Sequence, residues 1–96
     1  MAGERSIREI QRSQIAGTWY PAEPDRLRDT VDGLVAAANA GPDERLGAMI
    51  VPHAGYAYSG RAAGAGYARV PRGRFRRAAI VAPSHRHYFE GAAVFP

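Results

Sequence analysis

Cysteine is absent from this 96-residue chain, and so is lysine. The first absence excludes a disulfide framework, and it excludes any thiolate nucleophile or thiolate metal ligand from this sequence. The second means that all 13 basic residues are arginine. Arginine does not lose its proton, which carries the pI to about 10.1. Nine acidic residues leave a formal charge of +4. Long apolar runs are also missing. None approaches the roughly 20 residues that a membrane-crossing helix needs. Residues 1–14 are polar and alternate in charge, unlike a secretory signal. A soluble, cytoplasmic protein without a membrane partner is the expectation.

Small residues dominate what is present: 19 alanines and 11 glycines, beside 7 prolines. They permit close packing but offer little buried area per residue. The length suits one domain or part of one, and a core built from it is thin. Residues 1–14 read as a mobile N-terminal arm. The only tryptophan follows in Ala16-Gly17-Thr18-Trp19-Tyr20-Pro21, a cluster suited to docking the N-terminal segment onto a core.

Leu27, Val31, Leu34, Val35 and Ala38 recur at i, i+4, i+7, i+8 and i+11, which predicts a helix with one apolar face. Pro24 suits its first turn. Gly41-Pro42 stops it, and Asn39 offers an alternative left-handed cap. Residues 46–51 (LGAMIV) form a short apolar run closed by Pro52, the pattern of a strand buried on both faces. Ser59 is the expected N-cap of a second helix reaching about Arg69. Residues 77–82 (RAAIVA) then predict a second buried strand, closed by Pro83. A third is expected at 92–95. Strand, helix, strand at this spacing makes a right-handed βαβ unit. Two or three strands with one or two helices rarely close a core. The sequence therefore reads as the opening part of a larger doubly wound α/β domain, with an unpaired sheet edge and an exposed apolar face.

Each of the first two predicted strands delivers a histidine just past a proline: Pro52-His53-Ala54-Gly55-Tyr56 and Pro83-Ser84-His85-Arg86. Ligands of open α/β sheets bind outside the carboxyl ends of the strands. Neighbouring strands lie about 4.8 Å apart, so the two imidazoles could converge on one ion. Imidazole is the commonest nitrogen ligand for metals. An ordinary polar residue at a strand end is the plainer reading of either histidine alone.

These motifs carry a resemblance. Ala16-Gly17-Thr18-Trp19-Tyr20-Pro21, then Pro52-His53-Ala54-Gly55-Tyr56 with Tyr58-Ser59-Gly60, then Ala82-Pro83-Ser84-His85-Arg86 resemble the Memo family in order and spacing. Its bacterial members are often called AmmeMemoRadiSam system protein B. The match runs from about Arg12 onward and covers the N-terminal part of the family's usual chain. It implies that residues 15–96 are the N-terminal part of a single Memo-like α/β domain, with a mainly parallel sheet as in class III extradiol dioxygenases. It implies a non-haem metal pocket in which His53 and His85 are two of the ligands. A divalent metal (iron, copper or zinc) is expected there, with the site incomplete in this chain and later residues supplying the rest. The expected protein is truncated and inactive alone. The alternative is a non-catalytic module that takes a small molecule or peptide in the same pocket. Animal relatives of the family act as adaptors in receptor signalling and cell motility. No catalytic residue and no organic cofactor site is assigned.

The remaining candidates read more plainly. His87 shares a strand face with His85, but the matching family position varies, and a solvent-facing histidine is expected. Tyr56, Tyr58 and Tyr88 either line the pocket or pack at its rim. Gly55 and Gly60 lack the spacing of a phosphate loop. Arg69, Arg72, Arg74, Arg76 and Arg77 are the densest charge. A phosphate-backbone contact would use such a cluster, but a solvated loop is preferred, and nucleic acid is not an expected partner.

Overall fold

The computed structural model describes Ile10 and residues 12–94, and these divide into two units. Residues 13–76 form one, and Ile10, Arg12 and residues 77–94 form the other. Most of the expected arm at 1–14, namely 1–9 and 11, lies outside the described residues.

The first unit holds two helices, α1 at Pro24–Ala37 and α2 at Tyr56–Tyr67. Pro24 sits in the first turn of α1, where its missing N–H costs nothing. Glu23 is the N-cap, and its Oε1 accepts the Arg26 N–H at 2.8 Å. Asp25 adds negative charge at the positive end of the helix dipole. At the other end the helix stops before Gly41-Pro42, at the alternative left-handed cap: Asn39 takes φ +52°. Leu27, Leu34, Val35 and Ala38 are half-buried along one stripe, while Val31 lies at its exposed margin. Half-burial of a leucine contributes roughly 1 kcal/mol.

α2 differs from expectation at both ends. It starts at Tyr56, three residues before Ser59, with Gly55 as N-cap, and it ends at Tyr67. Its composition explains how it holds. Gly60, Gly64 and Gly66 each cost about 1 kcal/mol of helix propensity relative to alanine. What they gain is proximity. A methyl group on Gly64 would lie 2.7 Å from the Leu34 carbonyl oxygen, and one on Gly60 would lie 3.0 Å from Leu34 Cδ1. The backbone of α2 thus packs directly on α1 at Leu34. Ser59, Gly60, Gly64 and Ala68 are the buried residues of this contact and of the turn after it.

Residues 46–51 do not pair into a sheet, and neither do 77–82 or 92–94; residue 95 is outside the described set. The sole β-bridge among the described residues is a parallel one between Ala16 and Tyr20. The expected parallel sheet is therefore not formed by these residues. The reason is a requirement of the pattern itself: a run apolar on both faces needs cover on both faces and a partner on its edge. The 46–51 run has cover on one side. Met49 and Val51 are half-buried, with Val51 Cγ1 2.6 Å and Met49 Sδ 3.6 Å from where a Gly66 methyl would be. Ile50, between them, is 100% exposed. In the second unit Ile80 and Val81 are likewise exposed. No helix among the described residues is long and apolar enough to cross a membrane.

Two glycine substitutions separate propensity from packing. Gly33 has nothing within 4 Å of the position its methyl would take. Gly33→Ala should therefore stabilise the chain by about 0.5–1 kcal/mol. Gly64→Ala drives a methyl into the Leu34 backbone and should destabilise by about 1–3 kcal/mol despite its better propensity. Urea melts followed by helical circular dichroism give the sign of each.

Candidate functional site

His53 is exposed and lies on a three-residue loop between Pro52 and the start of α2. Proline fixes its own φ and so limits the chain entering the loop. Past the loop, two hydrogen bonds hold the backbone. The Tyr56 N–H, one of the donors a helix N-terminus leaves over, goes to the Trp19 carbonyl at 2.9 Å. The Ser59 hydroxyl donates to the Ala54 carbonyl at 3.0 Å. Ser59 is therefore not the helix cap; it is a buried residue inside α2 whose hydroxyl reaches back to the loop.

The Trp19 carbonyl is itself placed by a tight turn. Ser13 Oγ accepts from the N–H groups of Ile15 and Ala16, at 3.2 and 3.1 Å, and from the Tyr20 hydroxyl at 2.6 Å. Thr18 and Trp19 N–H groups both donate to the Ile15 carbonyl, and Gly17 N–H donates to the Tyr20 carbonyl at 2.7 Å. Gly17 has φ +91°, which glycine takes at no steric cost. The turn then lies on α2. The Tyr20 and Tyr56 rings are 5.6 Å apart and tilted by 36°, within the range of favourable aromatic pairs. A methyl on Gly55 would touch Trp19 at 3.6 Å. The expected docking of the tryptophan cluster thus takes place, and its target is the beginning of α2. Ser13 was not legible as part of it, although a serine shortly before a glycine turn is a common signal for such a hydroxyl-capped turn.

His85 belongs to the second unit. It sits in a turn closed by Ser84, whose Oγ donates to the His87 carbonyl at 2.7 Å and accepts the His87 N–H at 3.3 Å. His85, His87 and Tyr88 are exposed. Of the other tyrosines, Tyr56 packs on Tyr20 and Tyr58 is exposed.

The imidazoles of His53 and His85 have the donor chemistry that iron, copper or zinc accepts. Their number falls short of the three protein ligands usual at a catalytic metal. Among the described residues no three His, Asp or Glu side chains gather to hold an ion.

The five clustered arginines are exposed, as a solvated loop predicts, and two of them, Arg69 and Arg74, also make contacts to other segments. Arg69 donates to the Gly41 carbonyl at 2.8 Å and lies 3.8 Å from Asp43 Oδ2. Arg74 donates to the Glu44 carbonyl, and its guanidinium lies 5.0 Å over the Phe75 ring. The two carbonyl bonds tie the 41–44 segment to the chain that follows α2.

The sequence profile described as Memo-like protein matches residues 11–96. The chain belongs to the Memo-like protein family. Protein MEMO1 of Danio rerio is 37% identical over 83 residues, covering 84% of this chain and 27% of the relative. A MEMO1 family protein of Archaeoglobus fulgidus is 35% identical, covering 82% of this chain and 28% of the relative. One from Thermoplasma volcanium is 30% identical, with 91% and 32% covered. The chain thus spans about a quarter to a third of the length of these Memo relatives. No solved structure matches it.

Trp19 is the only tryptophan, so its fluorescence reports on the turn directly. Gly17→Ala places a side chain at positive φ, at a cost of about 1–2 kcal/mol. Its emission should move to longer wavelength, toward that of the urea-unfolded chain, while Gly33→Ala leaves it in place.

Proposed function

We propose that this chain carries two of the metal-holding histidines of a Memo-like pocket, His53 and His85, in a fold related to class III extradiol dioxygenases. The observation that carries the reading is the family match over residues 11–96, which contains both Pro-His and Pro-Ser-His motifs in order. Their setting supports it. Both histidines are exposed, and each follows an apolar run ended by a proline. His53 is presented by a loop held on both flanks, and His85 by a turn closed through Ser84. A bound divalent ion would supply Lewis-acid or redox chemistry. This chain's own contribution is to present two imidazoles, and residues beyond this sequence complete the ligand set. Alone, the chain binds metal weakly and turns nothing over.

Calorimetric titration of the chain with ferrous, cupric and zinc ions tests this. Weak binding is expected. His53→Ala and His85→Ala should each weaken it by about tenfold or more, since even an outer-shell partner is worth 10–100-fold. Unchanged affinity in the double variant would overturn the ligand assignment and leave the non-catalytic pocket that takes a small molecule or peptide. Tight binding by the chain alone would overturn the claim that residues beyond this sequence are needed to complete the ligand set.

A further inference from the structure

We infer that Ser59 is a positioning residue for His53, acting together with the Trp19 carbonyl. The inference rests on the reading of His53 as a metal ligand and adds the device that sets its direction. A serine inside a helix ordinarily faces solvent or bonds back to the carbonyl one turn earlier. That carbonyl is Gly55's, and it already accepts the N–H groups of Tyr58 and Ser59, at 2.9 and 3.0 Å. Ser59 instead reaches the carbonyl before it, that of Ala54, outside the helix. Ser59 is buried, and its hydroxyl makes this bond at 3.0 Å.

Two successive peptide units are held as a result. The Ala54–Gly55 unit is held through its carbonyl by Ser59, and the Gly55–Tyr56 unit through its N–H by Trp19. Gly55 lies between them, and glycine would otherwise be the freest residue of the loop. On the other side Pro52 restricts φ, and Val51 is set against α2 at Gly66. His53 is thereby presented from a backbone fixed within two residues in both directions. Pre-setting a ligand in this way reduces the ordering cost that a metal would otherwise meet on binding. The hydroxyl does not add to the helix, because alanine at position 59 would have the better helix propensity.

That last point makes Ser59→Ala a clean test, since it removes one oxygen and favours α2. Backbone relaxation measured by NMR on the chain reads the order of residues 53–55, carbon and nitrogen shifts read the His53 imidazole, and zinc titration reads affinity. In Ser59→Ala we expect the order parameters of 53–55 to fall from about 0.85 toward 0.6. The His53 imidazole shifts should change while those of His87 stay, and zinc affinity should drop about tenfold. The helical carbon shifts of α2 should be kept. Unchanged order at 53–55 would overturn the inference. Loss of order there together with loss of α2's helical shifts would also overturn it, by reducing Ser59 to a structural role. Loosening of 53–55 with zinc affinity unchanged in both Ser59→Ala and His53→Ala would refute the metal reading and leave the positioning of His53 standing.

Discussion

Leu34 lies against the backbone of α2, and glycine at position 64 is what admits it. The rest of residues 13–76 depends on that approach. No large side chain among the described residues is fully buried, and the buried residues with apolar side chains among them are Ala68 and Pro71. Stability here cannot come from a large apolar interior. It comes from bringing the backbone of one helix close to its neighbours at several points: Gly60 on the Leu34 side chain, Gly64 on the Leu34 backbone, and Gly66 on the Val51 side chain. Each glycine weakens α2 as a helix and strengthens it as a surface. A helix of this composition would be marginal in isolation. α2 is therefore a tertiary element first, and its helicity follows from what it touches.

The ends of α2 are held by different chemistry. At its start neutral hydrogen bonds dominate: Tyr56 N–H to Trp19, and the Ser59 hydroxyl to Ala54. At its finish the bonds are charge-assisted, with Arg69 on the Gly41 carbonyl beside Asp43. The Asp43 N–H returns a bond to the Arg69 carbonyl at 2.8 Å, so the two residues clasp through both side chain and backbone. The Arg69–Asp43 ion pair is part-exposed and contributes at most about 1 kcal/mol. The carbonyl bonds matter more to geometry, because they fix the segment that leads from α1 into residues 46–51. A basic cluster that looks like free charge in sequence is thus partly engaged in joining two backbone segments.

What could be read from sequence follows how local each signal is. The span of α1 was legible, because its stripe from Leu27 to Ala38, its Pro24 and its Asn39 stop act within one or two turns. Glu23 as the cap was not singled out; its role needs a geometry in which the carboxylate turns back to Arg26 N–H. The N-cap of α2 was misplaced by four residues, Ser59 for Gly55. Serine is a favoured cap, but the decisive partner of Tyr56 N–H is Trp19, 37 positions earlier in the numbering, and no local rule contains it. The docking of the tryptophan cluster was legible in kind and not in target. Family membership was legible from three short motifs and agrees with the match over residues 11–96.

The apolar run at 46–51 shows why sheet formation was the least accessible level. Hydrophobicity states a demand for cover, and pairing is an answer supplied by other segments. α2 meets the demand on the face carrying Met49 and Val51, and Ile50 carries the part that remains unmet. Alternation of half-buried and exposed residues over 49–51 has the period of a strand lying on a helix. Its far side is as apolar as its near side, which is the composition of a strand with layers on both faces and not of a sheet facing water. The same arrangement fixes the place of His53. It follows directly on a segment already seated on α2 by Val51, and it precedes a helix start already bonded to Trp19. The histidine therefore gets its placement from the α2 contacts that residues 13–76 make among themselves, before any sheet partner is considered.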